Sequence, residues 1–144
     1  MKKTLFTILI LSIALGLYAD EAKDSKAPDF TLENYDGNEI SLSEHKGKIV
    51  VLEWFNYECP FSKYIHMKTD LADDLSKKYE DKGVVFLAIN STHHAKPEKS
   101  KEFAEKHGIS YPILDDRSGK VGKAYDAKTT PHMFVIDKNG HIAY

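Results

Sequence analysis

The chain has 144 residues, of which 42% are hydrophobic and 29% charged, and its formal net charge is −2. That length suits one domain, and the composition is that of a globular chain able to bury a core. A near-neutral charge without any long basic run argues against nucleic acid as a partner.

Residues 1–19 read as an export signal. Lys2 and Lys3 supply a positive start, Leu5 to Leu17 is apolar apart from Thr7, Ser12 and Gly16, and Ala19 offers a small residue for cleavage before Asp20. The apolar stretch is shorter than the ~20 residues needed to span a bilayer, so no stable membrane anchor is expected after cleavage. A lipid anchor would need a cysteine just after that stretch, and none is there. Loss of the signal leaves 18 basic against 22 acidic residues, a net charge of −4. The reading is export to a periplasmic or extracellular space.

Residues 20–27 are a charged, small-residue leader, and 28–144 form the domain. Phe30 to Leu32 and Glu39 to Leu42 are predicted as short strands around the turn formers of Asn34 to Asn38, which makes an N-terminal hairpin. Ile49 to Phe55 is an almost continuous apolar run, the pattern of a central strand buried on both faces. Pro60 to Tyr79 reads as a helix, with Phe61, Tyr64, Ile65, Lys68 (by its stem), Leu71, Ala72, Leu75 and Tyr79 at inward spacing. Pro60 suits its first turn, where a missing N–H costs nothing.

Val84 to Asn90 is a second buried strand, and Pro97 to His107 a second helix stopped by Gly108. Tyr111 to Leu114 is a short strand and Ser118 to Tyr125 a short helix. His132 to Asp137 is a strand leading through Asn139-Gly140 into a partner strand at His141 to Tyr144. The alternation describes an α/β domain, a central mixed sheet flanked by helices. Ending inside a hairpin suggests that a C-terminal covering element is missing and that apolar sheet surface lies open beside His141–Tyr144.

Cys59 is the only cysteine. It stands between the predicted central strand and the predicted helix, where unpaired backbone N–H groups and the helix dipole favour the thiolate, the reactive form. In an oxidising compartment a single cysteine cannot form an internal disulfide, so Cys59 is a free thiol or pairs with another molecule. A buried inert cysteine is the bland alternative, and the helix-start position argues against it.

Four segments in order resemble the thioredoxin superfamily, in particular exported proteins of the redoxin (AhpC/TSA) and TlpA type. Ala27-Pro28-Asp29-Phe30-Thr31-Leu32 resembles the family's first strand. Asp36-Gly37 through Ser41-Leu42-Ser43 to Lys46-Gly47-Lys48 resembles its hairpin. Trp54 to Ser62 corresponds to the active-site corner, and Thr130-Pro131 before Phe134-Val135-Ile136-Asp137 to the cis-proline loop. The resemblance implies a thioredoxin-like fold and a catalytic set of Cys59, Glu53, Ser62 and Pro131. Cys59 matches the nucleophile of Cys-x-x-Cys, and Ser62 stands where the second cysteine would be. Glu53 matches the buried acid that assists proton transfer, and Pro131 the proline packed against the thiol. Trp54, Pro60, Phe61 and Thr130 are then the substrate-side residues. Peroxiredoxins of the superfamily carry a threonine three residues before their cysteine and a proline four residues before that. Asn56 and Leu52 hold those positions here, which argues against an efficient peroxidase.

The implied function is a thiol oxidoreductase or antioxidant working through one cysteine, resolved by an external thiol or redox partner protein, with no cofactor. The alternatives are a one-cysteine peroxidase and a non-catalytic binding or metal-carrier module. Glu53 could equally sit at a sheet edge with a salt-bridge partner. Trp54, Phe55 and Tyr57 could line the thiol, with core packing expected for at least two. His93 and His94, with Cys59, His66 or His132, could bind copper or zinc, but no metal-ligand spacing occurs and no metal site is expected.

Overall fold

The structure, a computed structural model, describes residues 25–144 apart from residue 70. The expected export signal and most of the expected leader lie outside the described residues.

Thr31–Glu33 (β1) and Glu39–Ser41 (β2) pair antiparallel, Leu32 opposite Ile40. The turn between them is closed by Asn34 Oδ1, which accepts from the amides of Asp36 and Asn38. A 3₁₀ turn at Leu42–His45 leads to Ile49–Trp54 (β3). Pro60–Tyr64 (α1) continues through a wider, π-type turn at Ile65–Thr69, and Leu71–Glu80 (α2) follows. Then come Val84–Asn90 (β4), Pro97–His107 (α3), Ile113–Asp115 (β5), Lys120–Ala124 (α4) and His132–Ile136 (β6). Gly108 ends α3 at φ +70°, a conformation that glycine adopts without steric cost.

The main sheet has the order β5-β4-β3-β6. β4 runs parallel to both β3 and β5, while β6 is antiparallel to β3. The runs predicted as strands at 49–55, 84–90 and 132–137 are therefore neighbours, with β3 in the middle, and the sheet is mixed. Alternation along β3 divides the interior in two. Val50, Leu52 and Trp54 join Phe30, Leu42, Leu87, Ile89, Leu114, Tyr125 and Ile136 in one core. On the other face Phe55 packs with Ala72, Ala88, Tyr111 and Ile113. Leu52, Phe55, Ile89 and Leu114 have no exposed surface, and each contributes about 1.5–3 kcal/mol by leaving water.

The expected single helix is two helices with a π-type turn between them, and its inward face agrees with the sequence expectation at Ile65, Ala72, Leu75 and Tyr79 but not elsewhere. Phe61, Tyr64 and Leu71 were expected inward but are 73%, 61% and 54% exposed, and Lys68 is exposed as well. The face that meets the sheet carries Ser62, His66, Ala72, Asp73 and Ser76, about one residue further round. The reason is polar bonding. Asp73 Oδ1 accepts from the Ser110 amide at 3.0 Å, Ser76 Oγ donates to the Asp73 carbonyl at 2.8 Å, and His66 meets a carboxylate inside the fold. Partnered polar groups can be buried, so counting apolar residues alone misplaces this face.

The expected partner strand at His141 to Tyr144 pairs with β6 through an isolated bridge, Ile136 with Ile142, and through three backbone bonds. These run from the Asp137 amide to the His141 carbonyl at 2.9 Å, the Ala143 amide to the Val135 carbonyl at 2.8 Å and the Val135 amide to the Tyr144 carbonyl at 2.8 Å. His141 also bridges Lys26. Val135 and Ile142 are half-buried, and Tyr144 is 71% exposed.

Candidate active site

β3 delivers the chain to the site and a tight corner turns it into the helix. The Phe55 amide still bonds the Ile89 carbonyl at 2.9 Å, which fixes the strand end. Asn56 then organises the corner. Its side-chain oxygen accepts from the Glu58 amide at 2.8 Å and its carbonyl from the Cys59 amide at 3.0 Å. The loop after β4 braces the outer side, where His94 Nε2 lies 2.9 Å from Glu58 Oε2 and the Lys96 amide donates to Tyr57 Oη at 3.2 Å.

Cys59 is the N-cap of α1, with extended backbone angles, and Pro60 fills the first helical turn. Its carbonyl receives the Lys63 amide at 2.9 Å, so the side chain stands over the open helix end. The half-buried thiol donates to the Thr130 carbonyl at 2.9 Å. Partial burial pushes the thiol pKa up. Hydrogen bonding from the Thr130 side chain, the Ser62 and Phe61 amides and the Ser62 hydroxyl outweighs that, and the net position is below the usual thiol range. The peptide bond between Thr130 and Pro131 is cis.

Ser62 has no exposed surface, and its Oγ accepts a long, 3.5 Å contact from the Asn56 amide. Glu53 is not at a sheet edge. It lies on the central strand at 2% exposure, with Oε1 2.8 Å from His66 Nε2 and Oε2 accepting from Tyr111 Oη at 2.7 Å. Pro60 and Phe61 are exposed beside the thiol, and Thr130 and Pro131 are half-buried next to it. Trp54 is a core residue, 2% exposed, with ring contacts to Tyr125 and Phe134 at 5.2 Å. Its Nε1 donates to Ser91 Oγ at 3.0 Å, and Ser91 Oγ donates to Asp116 Oδ2 at 2.6 Å. The outer side of this network borders a depression of about 230 Å³ lined by Asn56, Thr92, Lys128 and Thr130.

The histidines are dispersed. His93 and His94 meet edge to face, His66 is buried against Glu53, and His132 lies tilted against Phe134. Among the described residues no group of three His, Cys, Asp or Glu side chains is placed to hold a metal ion. Sequence reasoning missed Tyr111, Asp116 and the pairing of His66 with Glu53. A histidine seven residues after Cys59, at helical spacing under a buried acid, was the one signal available for that pairing.

A mixed sheet flanked by helices, a cysteine at the N-cap of a helix that follows the central strand and a cis-proline loop against the sulfur define a thioredoxin-like protein. The AhpC/TSA family profile matches residues 24–144, and the chain belongs to that family. It is 33% identical over 150 aligned positions to the thiol-disulfide oxidoreductase ResA of Geobacillus kaustophilus, covering 99% of this chain and 83% of that protein. It is also 33% identical over 118 positions to the thioredoxin-like protein YneN of Bacillus subtilis, covering 81% of this chain and 66% of that protein. Among solved structures, an uncharacterised conserved protein of Geobacillus kaustophilus superposes with a TM-score of 0.77 at 34% identity, covering 84% of this chain and 66% of that one. A Chlorobium tepidum protein described as the thiol:disulfide interchange protein DsbE gives 0.74 at 26% identity, covering 85% and 82%. No helix among the described residues is long and apolar enough to cross a membrane.

Proposed function

We propose that the protein is an exported thiol–disulfide oxidoreductase that works through one active-site cysteine. The observation that carries this reading is the Cys59 thiol at the helix N-cap, held 2.9 Å from the Thr130 carbonyl with its pKa lowered, while a fully buried serine stands three residues on. The names of the ResA and DsbE relatives support the class of reaction, and the Lys2-Lys3 start with its apolar run supports export.

In the proposed cycle the Cys59 thiolate attacks one sulfur of a partner disulfide. That S–S bond breaks, its electron pair leaves on the other sulfur, which takes up a proton, and Cys59 is left in a mixed disulfide. Ser62 can hydrogen-bond sulfur but cannot resolve this species. An external thiolate therefore attacks the Cys59 sulfur and frees the partner as a dithiol. A second external thiol regenerates Cys59 and leaves as an external disulfide. Glu53 assists proton transfer from within the fold, Pro131 and Thr130 wall the approach, and Pro60 and Phe61 face the incoming partner.

A chromogenic aromatic disulfide tests the reading. One equivalent of aromatic thiol should be released per chain, faster than by free cysteine at pH 7. The adduct should persist until a reducing thiol is added, and Cys59→Ser should release nothing. A rate no greater than that of free cysteine would reject the proposal.

A further inference from the structure

Glu53 and His66 meet in the middle of the fold. The carboxylate and imidazole are 2.8 Å apart and each side chain is 2% exposed. Tyr111 occupies the second carboxylate oxygen. Burial, and then the field of Glu53, push the Tyr111 pKa up, so it stays a phenol and a donor. The imidazole is packed by Phe55, with ring centroids 5.4 Å apart, and by Phe103 at 6.4 Å. The other ionisable groups around this cluster are Asp73 and Lys77 of α2, which pair with each other, and His107 of α3, stacked on Phe103. Lys63 and Lys68, on the same helix as His66, are exposed. β4 carries no charged or titratable side chain.

A lone ionised carboxylate in such a place is costly, and so is a lone imidazolium, but together they offset one another. The thiol is close enough to feel the outcome. Cys59, Ser62 and His66 follow at spacings of three and four along the helix, which puts them on one face, and Ser62 and His66 are both buried. Seven residues of helix set His66 about 10 Å below the cap.

We propose that Glu53 and His66 share a single proton as a charge-neutral buried pair, and that His66 is a positioning residue for Cys59 because it cancels the carboxylate charge beneath the sulfur. The inference rests on the reading of Cys59 as the nucleophile. The Glu53 carboxylate lies 2.8 Å from the imidazole, so its charge, if uncancelled, acts from roughly the same 10 Å depth and, at an effective dielectric of about 20, opposes the thiolate by about one pKa unit. A neutral pair leaves the amides and hydroxyls at the helix end to set the thiol alone.

The test follows the pH midpoint of Cys59 alkylation by iodoacetamide, read by mass spectrometry on the full chain, with circular dichroism to confirm folding. His66→Leu and His66→Gln remove the counter-charge and should raise the midpoint by about one unit. Glutamine keeps a hydrogen bond to the carboxylate, so its shift reports charge rather than lost packing. Glu53→Gln leaves no charge to cancel, and its midpoint should stay at the wild-type value even if disulfide exchange slows. It is isosteric and carries the test should the His66 variants fail to fold. A Glu53→Gln midpoint lowered by about one unit would mean that the native pair is negative and would overturn the inference, as would unmoved midpoints in both His66 variants. A wild-type midpoint equal to that of free cysteine would instead overturn the reading of Cys59, while the differences between variants would still score the pair.

Discussion

Replacing Ser62 with cysteine should convert the one-thiol site into a dithiol site. Cys59 and Ser62 occupy the N-cap and the third helical position, the spacing at which a cap side chain reaches back over the first turn. Residues so placed fall within the roughly 4.4–6.8 Å Cα separation that a disulfide bridges. The change gives up the 3.5 Å contact of the Ser62 hydroxyl with the Asn56 amide and its hydrogen bond toward the Cys59 sulfur, and the second thiol takes the place of the latter with a covalent bond. Closing a four-residue loop in the unfolded chain is worth about 2 kcal/mol on the loop-entropy relation. With unfolding entropy of about 2.1 cal/mol/K per residue over about 120 residues, the oxidised form should melt about 8 °C above the reduced form. Oxidation should remove 2 Da, and insulin reduction, absent in the parent, should appear with an external reductant. A variant that never closes the bridge, melts alike in both redox states and reduces no insulin would show that the groove is not built for exchange.

The other predictions concern the supports of the site. Gly122→Ala would place a Cβ 2.8 Å from Ser91 Oγ and 3.3 Å from Trp54 Nε1. It should destabilise the fold by about 1–3 kcal/mol in urea denaturation through displacement of that network. Thr130→Val removes a side-chain hydrogen bond that favours the thiolate and should raise the Cys59 alkylation midpoint by about half a unit to one unit. Burial raises the Asp73 pKa, but hydrogen bonds from Lys77 and Ser110 outweigh it and hold the carboxylate below its usual range. Its contribution is therefore complete above the unfolded carboxylate range and is lost as pH falls through the lowered folded value. Asp73→Asn should cost about 1 kcal/mol at pH 7, and the gap between the two proteins in thermal melts should close in strong acid.

The strands were legible because they are locally encoded. Ile49 to Phe55 and Val84 to Asn90 are apolar runs with turn formers on both sides, and their parallel pairing follows from the helix between them. The corner from Trp54 to Ser62 and the Thr130-Pro131 loop were legible through motif resemblance. The helix face was read in part: Ala72 is buried and Ile65, Leu75 and Tyr79 are half-buried as expected, but Phe61, Tyr64, Lys68 and Leu71 face outward, because the partnered polar side chains of Ser62, His66, Asp73 and Ser76 take the inner positions. Glu53, His66 and Tyr111 are far apart in sequence and share no period, so their convergence exists only once β3, the helix and the segment before β5 have packed. Trp54 was assigned to the substrate side and belongs to the interior, since its indole N–H is satisfied there by Ser91.

That indole is the only one in the chain. Excited beyond the absorption of its tyrosines, the protein therefore has one emitter, screened from water and bordering the same depression as Thr130, whose carbonyl holds the sulfur. Emission should lie to the blue while the interior is intact. An adduct on Cys59 that pushes the Thr130 loop aside should change its intensity without unfolding the chain. The fold thus carries an optical gauge beside its reactive atom, readable in real time and without a label.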